Sequence, residues 1–154
     1  MKNLELKIPP LLLFLLFGAA MWLARKYIPI EFNLIREIRL VLFVLLSILA
    51  FSVAMAGIIS FKKQKTTVNP INPTTTSSLV TDGIYQYTRN PMYLGFVIFL
   101  IGWGLWLTNI VALALIPCFI FYITHFQIIS EERALETIFG KKFLVYKQSV
   151  RRWL

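Results

Sequence analysis

The side chains best suited to chemistry crowd into one stretch, Gly83-Ile84-Tyr85-Gln86-Tyr87-Thr88-Arg89-Asn90-Pro91-Met92-Tyr93-Leu94-Gly95. Three tyrosines, an arginine and an asparagine surround a proline that suits the first position of a helix, where its missing N–H costs nothing. Asn90 then falls at the N-cap, and the unpaired N–H groups of the helix start form an anion site. A second polar group, Glu131-Glu132-Arg133, stands where a later apolar segment ends. Gln127 lies one helical turn before Glu131, so both side chains share a face. An anion site, a carboxylate and aromatic surfaces together suit a zwitterionic, nucleotide-like ligand. The bland alternatives are a solvated helix end for the Glu pair and an interfacial aromatic belt for the tyrosines.

Other chemistries lack their residues. His125 is the only histidine, whereas iron-dependent membrane oxygenases need several as ligands. A zinc site needs a His/Cys cluster, and a Ser-His-Asp triad needs a suitably placed acid. No metal is therefore expected. Gly102-Trp103-Gly104 sits inside an apolar run rather than after a strand, which argues against a dinucleotide-binding fold. His125 is expected to hydrogen-bond near the end of the last span, with a base role as the alternative. The single cysteine, Cys118, cannot form an intrachain disulfide and reads as a small core residue.

The elements that position these residues are apolar and long. The chain has 154 residues, 58% of them hydrophobic, and a net charge of +9. Mean hydropathy is +0.71, above what soluble domains show. A span takes about 20 apolar residues, and four segments qualify: 9–24, 40–61, 91–107 and 110–129. Thr108-Asn109 turns the last two into an antiparallel hairpin. The first segment has the basic start of a signal peptide, but Trp22-Leu23-Ala24 is not a small-x-small cleavage site. The expected fold is all-α, one polytopic membrane domain over 1–154, closed by an amphipathic segment at 131–154 lying in the headgroup layer. In that segment Gly140 suits a helix C-cap. The loop 62–90 carries turns at Asn69-Pro70 and Asn72-Pro73 and is either a linker or a lid over the site.

Lysine and arginine count twelve on the side of both termini and four on the other, which places the termini and the site in the cytoplasm. The bilayer belongs to a bacterial or archaeal cytoplasmic membrane on this reading. Basic residues cluster between apolar runs, so membrane lipids, not nucleic acid, are the expected partners.

Three runs carry a resemblance: Thr66-Thr67-Val68-Asn69-Pro70, Leu79-Val80-Thr81-Asp82-Gly83-Ile84-Tyr85, and Arg89-Asn90-Pro91-Met92-Tyr93-Leu94-Gly95. With Glu131-Glu132, Leu135, Phe139-Gly140 and Tyr146, they resemble the isoprenylcysteine carboxyl methyltransferase family. That family sits in a wider group of integral-membrane methyltransferases that includes phospholipid N-methyltransferases. The likeness covers roughly residues 62–154.

The resemblance implies S-adenosyl-L-methionine as cofactor, held near the cytoplasmic surface. Tyr85, Asn90, Pro91, Met92 and Tyr93 would line its pocket, Leu79 and Val80 would approach it through their backbone, and Glu131 would meet its polar groups. Glu132 would support Glu131, any of Glu131, Glu132 and His125 could take a proton from the acceptor, and Arg89 or Arg133 could stand in for a missing substrate-holding arginine; Arg89 and Glu132 are the expected catalytic residues. Gln127 would face the substrate. Two positions depart from the family pattern: Asn90 replaces a histidine, and Gln127 replaces an arginine expected to hold a substrate carboxylate. A neutral amide does not reproduce a bidentate guanidinium. The acceptor is a lipophilic molecule or lipid. A phospholipid-headgroup amine is the alternative to a carboxylate, and a non-enzymatic scaffold on anionic lipid is the third reading.

Overall fold

The computed structural model describes residues 8–64 and 78–154. The Thr66–Pro70 run and both Asn-Pro turns of the expected lid lie outside the described residues. Six α-helices follow in order: α1 Pro10–Tyr27, α2 Arg36–Lys63, α3 Pro91–Leu107, α4 Ile110–Ile123, α5 Ile129–Phe139 and α6 Lys141–Ser149. A 3-10 turn, Gly83–Gln86, precedes α3, and a π turn, Thr124–Ile128, joins α4 to α5. Among the described residues the only strand-like feature is an isolated bridge between Glu31 and Asn109.

Three helical stretches are long and apolar enough to cross a bilayer: Pro10–Tyr27, Arg36–Lys63 and Ile110–Phe139. Pro91–Leu107 is a shorter apolar helix, about 26 Å long at 1.5 Å per residue. The protein is an all-α integral membrane protein. Its lipid-facing character shows in α2, where Leu45, Ile48 and Phe51 are exposed and the helix is apolar all round.

The α2–α3 packing is made by small residues. A Cβ on Gly95 would sit 2.8 Å from the carbonyl oxygen of Ala50 and 3.1 Å from the Cβ of Ala54. One on Gly57 would meet the ring of Pro91 at 2.9 Å. These pairs run in opposite chain directions, so α2 and α3 are antiparallel, and small residues let their backbones approach as membrane helices require. On the other side of α3, Gly104 meets Leu113 of α4 and Met21 of α1. The main core gathers Leu13, Met21, Val97, Leu100, Ile116, Phe119 and Ile123.

The α3–α4 hairpin forms as its turn residues dictate. Thr108 takes the left-handed conformation (φ 49°, ψ 40°) that ends α3, and the Asn109 side chain caps α4 by accepting from the Ala112 N–H at 2.8 Å. Asn109 also donates to the Ile28 carbonyl at 2.7 Å, which ties the end of α1 to the hairpin.

The amphipathic segment 131–154 is helical in two pieces: α4, the π turn and α5 form one continuous rod, and the break comes at Gly140, where φ is +51°. The α6 helix then buries Phe143 and Tyr146 against Val80 and Tyr85, with Leu79, Leu135 and Phe139 around them. Cys118 is not a core residue. It is exposed on α4, and its thiol is directed to the Ala114 carbonyl.

Candidate active site

Pro91 opens α3 and is fully buried. Two residues on, Tyr93 turns its ring into the main core while its hydroxyl donates to the Glu131 carboxylate at 2.6 Å. The Gln127 amide donates to the same Glu131 oxygen at 2.7 Å. A residue from the first turn of α3 and two from the α4–α5 rod therefore converge on one carboxylate. The rod contributes Gln127 from the π turn and Glu131 from α5. Widened π turns of this kind often occur at functional sites.

Glu132 belongs to a different network. Its Oε1 accepts from Arg89 Nη2 at 2.7 Å and from Arg152 Nε at 2.9 Å, and its Oε2 accepts from Arg152 Nη2 at 2.8 Å. Lys147 stands 4.0 Å from the same carboxylate and 3.7 Å from Glu136. Arg89 Nη1 donates to the carbonyls of Lys147 at 2.7 Å and Val150 at 2.9 Å, and its backbone N–H donates to Arg151. The side chains of Arg89 and Glu132 are each only 9% exposed. Such a pair requires hydrogen bonding to offset its desolvation, and the tail carbonyls supply most of it, although Arg89 Nε is buried without a partner. Hydrogen bonding to Glu132 raises Arg152 further above its ordinary range.

Asn90 holds the N-cap position but does not cap. Its amide donates instead to the Arg152 carbonyl at 3.0 Å, and the Thr88 hydroxyl donates to the same oxygen at 3.3 Å. Tyr85 is buried, with its ring edge-on to Phe61 and its carbonyl accepting from the Tyr146 hydroxyl at 2.7 Å. Burial pushes both the Tyr85 and Tyr146 phenols above their ordinary value. Val80 is buried in the same cluster and Leu79 packs beside it. Met92 lies on the α2 side, near Gly57. Tyr87, by contrast, is 72% exposed. His125 is exposed, with its ring against Phe121 and Nδ1 at 3.0 Å from the Phe121 carbonyl.

Of the sequence-derived candidates, Tyr93, Gln127 and Glu131 meet directly. Arg89 and Glu132 also meet directly, and Asn90 joins them through the Arg152 carbonyl. Leu79, Val80 and Tyr85 form an adjoining apolar cluster. Arg152 and Lys147 were not singled out from sequence. Their only sequence signal was membership of a basic run, since their partner Glu132 lies 15 to 20 residues upstream.

The fold and this cluster define a helical membrane protein with a polar site built where two helices meet the last turns of the chain. The sequence matches the phospholipid methyltransferase family over residues 38–142, and the chain belongs to that family of membrane methyltransferases. A 63-residue stretch is 48% identical to an uncharacterized protein of Haemophilus influenzae, covering 41% of this chain and all of that one. The chain is 38% identical over 72 residues to the protein-S-isoprenylcysteine O-methyltransferase of Schizosaccharomyces pombe, covering 47% of this chain and 30% of the relative. It is 33% identical over 95 residues to protein-S-isoprenylcysteine O-methyltransferase A of Arabidopsis thaliana, covering 62% of this chain and 48% of the relative. The chain thus spans less than half the length of these named methyltransferases. No solved structure matches.

Proposed function

We propose that this protein is an S-adenosyl-L-methionine-dependent membrane methyltransferase that modifies a lipophilic acceptor at the cytoplasmic face of a bacterial or archaeal membrane. The observation that carries the reading is the Tyr93–Glu131 contact of 2.6 Å. It joins the two family motifs, 38 residues apart, into one polar site at the start of α3. The donor set fits the cofactor: a carboxylate for its ammonium or ribose hydroxyls, a tyrosine ring, and the beginning of a helix for its carboxylate. When bound, the cofactor supplies a methyl group already activated on a positively charged sulfur.

The protein's own residues bind, orient and exclude water. Glu131, Tyr93 and Asn90 hold the donor, with Tyr85, Pro91, Met92, Leu79 and Val80 as its packing wall. Arg89 and Glu132 serve the reaction through their grip on the tail. An apolar groove of about 500 Å³ between α1 and α3, bordered by Phe14, Gly18, Trp22 and Trp103, supports a lipophilic acceptor. Phe14 stacks on Phe96 at 4.8 Å, and Phe96 neighbours Tyr93, so the groove leads towards the polar site.

An amine acceptor is the second reading, and Gln127 favours it. With its NH2 committed to Glu131, its amide presents a carbonyl acceptor, which suits an N–H donor better than a carboxylate. Titration with S-adenosylhomocysteine tests the donor site: saturable binding is expected, and none at millimolar ligand with folded protein would leave the scaffold reading. Transfer of labelled methyl into phosphatidylethanolamine or into prenylcysteine analogues separates the acceptor classes.

A further inference from the structure

The last turn of the chain touches both halves of the site through one residue. The Arg152 guanidinium grips both oxygens of Glu132, at 2.9 and 2.8 Å. Its backbone carbonyl accepts from Asn90 at 3.0 Å and from Thr88 at 3.3 Å. Arg152 therefore links α5 at one end to the entry of α3 at the other. Arg89 reinforces the link in the opposite sense, reaching from the entry of α3 to Glu132 and to the carbonyls of Lys147 and Val150. Trp153, next in the chain, packs on the main core and anchors the tail.

Glu131 and Glu132 are neighbours on α5, so their side chains leave the helix about 100° apart. Whatever fixes the direction of Glu132 also fixes the rotation of α5, and with it the direction of Glu131. A bidentate guanidinium sets orientation as well as distance.

We propose that Arg152 is a positioning residue for the methyl-donor site. By holding Glu132 with its guanidinium and Asn90 with its carbonyl, it sets α5 against the start of α3 so that Glu131 faces Tyr93. The idea rests on the donor-site reading above. Arg152 acts through Glu132 and Asn90, and the tail from Lys147 to Trp153 is part of the site's construction.

Arg152→Ala and Arg152→Lys in the full chain test this. Arg152→Ala keeps the carbonyl but loses the grip on Glu132, so S-adenosylhomocysteine should bind about tenfold more weakly, well below the melting temperature. Arg152→Lys should recover part of that loss, because an ammonium restores charge without two-point geometry. Amide exchange in the first turn of α3 should quicken in Arg152→Ala without ligand. A role in stability alone would lower the melting temperature and leave both the affinity and that local exchange unchanged, which overturns the proposal. If the wild-type protein binds no S-adenosylhomocysteine, the donor-site reading fails. The bracket between α5 and α3 is then judged by exchange alone, and unaltered exchange in Arg152→Ala overturns it.

Discussion

At the scale of single residues, two adjacent acids have separate tasks. Glu131 meets neutral donors, a phenol and an amide, whereas Glu132 meets two guanidiniums. Removing the Tyr93 hydroxyl takes one hydrogen bond from the buried Glu131 carboxyl, a loss of about 1–3 kcal/mol. Tyr93→Phe should therefore weaken S-adenosylhomocysteine binding by about tenfold, with helical content unchanged by circular dichroism. Glu132→Ala should weaken that binding too, since it removes the hold of Arg152 on α5, and should also cost stability. It strands the buried Arg89, and breaking such a pair costs about 3 kcal/mol or more, visible as a lowered thermal midpoint in detergent. Gln127→Arg tests the acceptor: a guanidinium there should raise methyl transfer to a prenylcysteine carboxylate relative to an amine. No change in that ratio would show that this position does not select the acceptor. Residue types were legible in the sequence here, since Glu131, Tyr93 and Gln127 were all picked out. The pairing of Gln127 with Glu131 was legible too, from their one-turn spacing, but the long-range partners were not. Asn90 was expected to cap α3, yet its amide turns to the Arg152 carbonyl, a choice made by a residue 62 positions away.

At the scale of elements, the close packing of α2 on α3 sets where the site begins. Gly95 has no room for a side chain against the Ala50 carbonyl, because that contact is helix backbone and cannot rotate aside. Gly95→Leu should force the helices apart and cost about 1–3 kcal/mol, read as a lower melting temperature together with weaker donor binding. The cost appears in both because α3 carries Tyr93. The apolar runs foretold the helices well, and the Thr108-Asn109 turn falls where expected. The π turn at Thr124–Ile128 left no mark in the apolar pattern. It adds a residue to the turn that carries Gln127, and hydrophobic periodicity is too coarse to register one residue.

At the scale of the whole molecule, the long apolar helices support a cap made by the 3-10 turn, α6 and the tail. Tyr85 and Tyr146 bind this cap through the 2.7 Å bond from hydroxyl to carbonyl, and burial raises both phenols above the ordinary value of 10.0. The neutral phenols are favoured in the folded state, so their contribution is fully present below about pH 10 and falls as pH rises past it. Stability in detergent should be level from neutral pH to about pH 9 with respect to these groups, then decline. Tyr146→Phe should reduce stability at neutral pH and flatten that alkaline decline. Orientation is checked by labelling in a Cys118→Ala background. Ser149→Cys should react from the cytoplasmic side and Asn33→Cys from the opposite side.

Composition and spacing alone determined the all-α membrane class, the apolar helices and the hairpin, because a bilayer admits few backbone solutions and those leave long apolar signatures; the family motifs came from resemblance to known sequences. Tertiary structure alone decided which acid faces which donor, where Arg89 spends its hydrogen bonds, and that Arg152 completes the polar network. Those choices depend on helix rotation and on contacts between residues 20 to 64 positions apart, and no local pattern encodes a rotation.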